Sequence, residues 1–216
     1  MKNRKYSLIC SILLLCAGII TAQSPSNRTV STIVADVLAQ LPADNQQKYN
    51  QVMKELGATG AEGVKILVGM INAPGKGSNS AVEYALNGLS YYSTADEALK
   101  NKMEQSFIEA IDLTNERETK AFIIRQLAIV GSEASINKLS GYLADDALSS
   151  PAACAIASVG GESAGRALQM ALMRRSSRSP EAERNIIQAL CDVMPVDGGE
   201  EILKGMINTG MTSHSA

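Results

Sequence analysis

The protein has 216 residues, a formal net charge of −2, no tryptophan, two phenylalanines and nine methionines. Its apolar content comes from Ala, Leu, Ile, Val and Met, which suits helix-on-helix packing better than the β-branched and aromatic packing of a β-sandwich. A weakly acidic sequence without a long basic run is also a poor candidate for binding nucleic acid.

The first 22 residues read as an address. Lys2, Arg4 and Lys5 form a positive start, residues 8–20 are apolar, and Ala22 offers a small residue for cleavage. This is the layout of a secretory signal peptide, too short in its apolar run for a membrane span. The rival reading is a lipoprotein anchored through Cys16, but Leu15 stands where a small residue is normally needed. The expected location is therefore outside the cytoplasm, periplasmic or at the cell surface. Removing the three basic residues with the leader takes the net charge from −2 to −5. No later segment is long and apolar enough to span a bilayer.

Residues 23–44 hold a polar lead-in and a first helix. Val30, Ile33, Val34, Val37, Leu38 and Leu41 recur at helical spacing and Pro42 ends the run. Residues 45–208 then repeat one pattern: a helix ending in Leu-Gly or Val-Gly, a short cap, and a second striped helix. The turns at Leu56-Gly57, Val130-Gly131 and Val159-Gly160 place glycine where a helix end can turn left-handed. Thr59 with Glu62, Thr94 with Glu97 and Asp197 with Glu200 have capping-box spacing or a close variant of it. First helices are expected to open at Asn115-Glu116, Ser150-Pro151 and Ser179-Pro180. The expected pairs cover about 45–72, 79–112, 115–144, 147–173 and 180–208, followed by a polar tail at 209–216.

The second helices align in register. Leu67, Phe107, Leu139, Leu168 and Leu203 share one position, at intervals of 40, 32, 29 and 35 residues with a mean of 34. Ile71, Ile111, Leu143, Leu172 and Ile207 follow four residues later. Gly69, Gly141 and Gly205 also fall in register, which suggests close helix approach. The period is that of two-helix repeats. Tetratricopeptide repeats share it, but their Trp-Leu-Gly-Tyr signature is missing and glycine falls at the turn instead.

These residues resemble HEAT repeats, especially short bacterial ones with a Leu-x-x-x-Gly turn. The resemblance covers about 45–208 and implies an all-α fold, an α-solenoid of about five two-helix repeats. The stretches at 70–77 and 118–127, with the leader and lead helix, also look like secreted bacterial proteins in which HEAT-like repeats precede a 3-keto-disaccharide hydrolase, or glycoside-hydrolase-like, domain. If so, this sequence matches the repeat portion alone and no catalytic residue carries over.

Chemistry is sparse. The one histidine, His214, stands in the tail, which removes Ser-His-Asp and Cys-His catalysis and multi-histidine metal sites. No phosphate loop is present, and residues 75–78 read as an inter-repeat loop. Cys154 and Cys191, left after Cys10 and Cys16 depart with the leader, read as small apolar residues about one helical turn apart on neighbouring core helices. A disulfide between them stays open. The acids Asp96, Glu97, Asp145, Asp146, Glu181, Glu183, Glu200 and Glu201 fall at helix starts and loops, where they cap and solubilise. Sugar sites tend to offer aromatic stacking surfaces, and the one adjacent aromatic pair, Tyr91-Tyr92, reads as core packing or a helix end. Neither a catalytic residue, a metal site nor a cofactor is assigned.

Two surface features remain. Arg174, Arg175 and Arg178 form a compact basic patch that reads as a solvated loop or as a contact for an acidic partner or anionic glycan. In HEAT-like solenoids the second helices usually line the concave surface. The resemblance therefore places Lys65, Asn137, Arg166 and Glu201 in one row there, with Val68, Ser140, Gln169 and Lys204 in the next. The expected function is a non-catalytic scaffold for a protein or glycan partner. The alternative is an accessory segment of a longer hydrolase-like protein. The apolar stripes on both helices of the last pair favour a polypeptide that continues, its own C-terminal domain then serving as a partner, over an end that docks on something else. An enzyme in its own right is the least supported reading.

Overall fold

A computed structural model describes residues 28–174, 179–193 and 204–205. The leader, Arg175, Arg178, Asp197, Glu200, Glu201, Leu203, Ile207 and the tail lie outside them. The described residues are all-α, with ten α-helices and no strand. In order along the sequence they are α1 (Val30–Ala39), α2 (Gln46–Ala58), α3 (Gly60–Gly69), α4 (Ser80–Ser93) and α5 (Glu97–Ala110). Then follow α6 (Arg117–Val130), α7 (Glu133–Leu139), α8 (Ser149–Val159), α9 (Gly161–Met173) and α10 (Pro180–Val193). Short 3-10 turns extend α5 over Ile111–Leu113 and α7 over Ser140–Tyr142. None of these helices is long and apolar enough to cross a membrane.

Each of α1 to α8 packs against the helix two places further along the sequence. The helices α2, α4, α6, α8 and α10 thus form one row and α3, α5, α7 and α9 another. This order is compatible with a helical solenoid. The apolar register explains why the rows form: Leu67, Phe107, Leu139 and Leu168 are all fully buried, and Ile111 and Leu143 are buried behind them. A helix striped on two sides leaves apolar surface in water unless a neighbour lies on each side.

Local signals set the helix starts. Asn45 accepts a hydrogen bond from the Lys48 amide at 2.9 Å, and Ser179 accepts one from the Ala182 amide at 3.1 Å with Pro180 in the first helical position. Several expected caps differ. Thr94 turns back to donate to the Tyr91 carbonyl, and Asp96 caps α5 by accepting from the Leu99 amide at 3.0 Å. Thr59 caps nothing, because its hydroxyl donates to the Leu56 carbonyl instead. A hydroxyl at a helix end that bonds back to a last-turn carbonyl, here one that also accepts from the Thr59 amide, is turned away from the amides of the next helix. At α8 the helix begins at Ser149 rather than Ser150, and Asp145 accepts from the amides of Ala147 and Leu148.

The glycines also divide. The left-handed conformation expected at Gly57 falls at Gly60, because α2 continues through Gly57 to Ala58. Gly131 is extended rather than left-handed. Gly160, with φ 72° and ψ −165°, does occupy backbone space that only glycine enters readily. Close approach at Gly69, Gly141 and Gly205 is not found: a Cβ on any of them would meet nothing within 4 Å. These two findings give opposite predictions. Gly160→Ala should lower stability by about 1–3 kcal/mol through backbone strain. Gly69→Ala should leave stability unchanged or raise it by up to about 1 kcal/mol, since it removes unfolded-state freedom without a clash. Urea unfolding of the two variants checks both signs.

Polar side chains tie successive pairs together. The Tyr49 hydroxyl donates to the Gly88 carbonyl at 2.9 Å, linking α2 to α4. Ser90 on α4 donates to Gln126 Oε1 on α6 at 3.0 Å, with both residues buried. Asn185 on α10 donates to Ser149 on α8 at 3.1 Å. In the other row, Ser163 on α9 donates to Glu133 on α7 at 3.0 Å.

Candidate functional site

Three of the residues expected to meet a partner lie on the second-helix row. Lys65 on α3, Asn137 on α7 and Arg166 on α9 are each exposed on the second-helix row. Arg166 forms an ion pair with Glu162 one turn earlier on its own helix. Arg174 closes α9 and is exposed, while its expected companions Arg175 and Arg178 lie outside the described residues. The second expected row is corrected at Val68, which is buried in the core, while Ser140 is half-buried and donates to the Ile136 carbonyl one turn earlier at 2.7 Å. An apolar side group next to Leu67 gains more by joining the core than by facing solvent. Cys154 and Cys191 are corrected as well: both are exposed free thiols, not core residues.

A concavity among the described residues lies on the other row. A groove of about 810 Å3 runs along the seam of α4 and α6. On α4 the residues Val82, Ala85, Leu86, Leu89 and Ser90 are buried, which turns Glu83, Tyr84, Asn87 and Tyr91 outward at helical spacing. On α6 the stripe Phe122, Arg125, Gln126 and Ile129 faces them across the seam. The buried Ser90–Gln126 bond fixes the floor, with Gln126 also donating to the Phe122 carbonyl at 3.4 Å.

Above that floor the groove is aromatic and unpaired. Tyr84 is 44% exposed and Tyr91 59% exposed. The pair Tyr91-Tyr92 stands in the last turn of α4, the helix end expected for it, with Tyr91 exposed and Tyr92 half-buried against the core. Among the described residues, the side chains of Glu83, Tyr84, Asn87, Tyr91 and Arg125 form no hydrogen bond or ion pair. Among the same residues, Glu83 is the one carboxylate lining the groove. Beside Tyr84, burial pushes the Tyr49 phenol above its ordinary value, with a smaller contribution from Tyr84, so Tyr49 remains the protonated donor to Gly88.

No family model and no curated protein matches the sequence.

A second polar feature lies inside the fold. Glu104 on α5 is 2% exposed and receives four donors from the start of α7. The Ser132 amide donates at 2.7 Å and its hydroxyl at 2.8 Å, while the Ser135 amide and hydroxyl donate at 3.0 and 2.6 Å. Burial alone pushes this carboxyl upward, but the hydrogen bonds outweigh it and hold it below its ordinary value. Among the described residues no group of three or more His, Cys, Asp and Glu is placed to hold a metal ion.

Neither feature was read from the sequence. Glu104 was hidden because a lone acid in an amphipathic helix reads as surface. The groove was hidden because the repeat resemblance points to the second helices, although Tyr84, Asn87 and Tyr91 share one face of α4 at a spacing that is visible in the sequence.

Proposed function

We propose that this protein is an exported, non-catalytic scaffold of the HEAT-like type that binds its partner along the first-helix row. The observation that carries the reading is the groove between α4 and α6, where exposed tyrosines stand beside polar side chains that form no hydrogen bond or ion pair among the described residues. Aromatic rings with a polar tip supply contact area at little entropic cost, which is why they anchor interfaces. The row-by-row packing supports a repeat architecture, and such stacks offer extended rather than enclosed binding surfaces. Export rests on the layout of residues 1–22.

The test exposes the immobilised protein to a glycan array and to a displayed random-peptide library. A reproducible binder is expected, lost on Tyr84→Ala with Tyr91→Ala and retained on Lys65→Ala with Asn137→Ala. Silence in both formats, or chemical turnover of whatever binds, ends the reading.

A further inference from the structure

We infer that the groove between α4 and α6 takes a neutral oligosaccharide, an assignment that rests on the scaffold reading above. The unpaired side groups define what a ligand must exchange with them. Glu83 is an acceptor when ionised, Arg125 is a donor, Asn87 is both, and the phenols of Tyr84 and Tyr91 are both. A ligand that satisfies this set must donate and accept all along its length. A proline-rich peptide, the usual occupant of aromatic-lined protein grooves, offers carbonyl acceptors but few donors and would leave Glu83 unmatched. A sugar hydroxyl donates and accepts at the same atom.

The aromatic surface points the same way. Tyr84 and Tyr91 stand two helical turns apart on one face, 44% and 59% exposed, and Phe122 sits across the seam. Exposed rings spaced along a groove suit a ligand with repeating apolar C–H faces, and pyranose rings present such faces between their hydroxyls. Charge then selects among glycans. Glu83 and Arg125 are the charged residues of the lining and are opposite in sign, so the lining carries no excess of positive charge to draw an anionic polymer. An open trough of about 810 Å3 suits a polymer passing along it better than an engulfed small molecule.

Tryptophan is absent and two of the six tyrosines, Tyr84 and Tyr91, line the groove, so a ligand-dependent change in tyrosine emission that diminishes in Tyr91→Ala reports on it. The full-length protein is titrated with neutral gluco-, xylo- and manno-hexasaccharides, with galacturonate oligomers, and with a proline-rich peptide. Saturable change in tyrosine emission is expected with at least one neutral oligosaccharide, with affinity lowered about tenfold by Tyr91→Ala. Glu83→Gln should weaken the same ligand, while helical circular dichroism stays unchanged in both variants because the replaced groups face solvent. Binding of the peptide or of galacturonate with the neutral sugars silent overturns this inference and leaves the scaffold reading standing. Silence of every probe, together with an empty array and library, removes both.

Discussion

Phe107→Ala is expected to lower the stability of the protein by about 3–5 kcal/mol, the cost of emptying a packed aromatic site. Phe107 is fully buried on α5, which packs against α3, α6 and α7, so the void would open between helices of both rows. Leu139→Ala and Leu168→Ala, at the same register and equally buried, should each cost about 2–5 kcal/mol. Lys65→Ala, two residues before Leu67 and exposed, should cost less than about 0.5 kcal/mol. Urea unfolding followed by the helical circular dichroism signal separates these outcomes. Similar small losses at all four positions would contradict the register.

Removing the Glu104 carboxylate should have an effect of comparable size through a different route. Glu104→Ala leaves the amides and hydroxyls of Ser132 and Ser135 without their acceptor at the start of α7, and Ser135 is buried. Unsatisfied buried donors cost about 1–3 kcal/mol each, so a loss on the order of 3 kcal/mol follows. Glu104→Gln keeps the shape but replaces one acceptor oxygen with a donor, and should fall between the alanine variant and the parent. The pH dependence has a definite sign. Because the folded carboxyl is held below its ordinary value, its stabilisation is fully present above the unfolded-state range and disappears as pH falls through the lowered folded value. Unfolding free energies across a pH series should show the gap between parent and Glu104→Ala narrowing on the acid side. A gap that stays constant down to strongly acidic pH would show that the carboxylate charge does not contribute.

The helical pairs were legible because their signal is apolar and periodic. Leu67, Phe107, Leu139 and Leu168 repeat at one position, and burial of each follows from its neighbours whatever the cap chemistry does. The caps were less legible because several polar residues near a helix start compete for the same amides. Thr94 and Asp96 stand two residues apart, and a carboxylate is the stronger acceptor, so Asp96 takes the position while Thr94 satisfies the preceding helix. The in-register glycines misled for a related reason: a missing side group is equally compatible with a close neighbour and with open solvent. The groove was least legible. It depends on which face of α4 is left over after Leu86, Leu89 and Ser90 turn inward, and that face is set by packing against several helices, among them α6, a partner 36 residues away at the Ser90–Gln126 bond.

The polar ties have a consequence for the identity of each helical pair. The apolar pattern alone distinguishes the pairs only weakly, since Leu67, Leu139 and Leu168 hold the shared position in three of them and Phe107 in the fourth. The ties distinguish them further. A phenol on a carbonyl joins α2 to α4, a hydroxyl on an amide joins α4 to α6, and an amide on a hydroxyl joins α8 to α10. A shuffled order would set mismatched polar groups against each other inside the seam, where each unmatched group is costly. The protein therefore has a fixed sequence of joints, and a groove built at one of them cannot move to another.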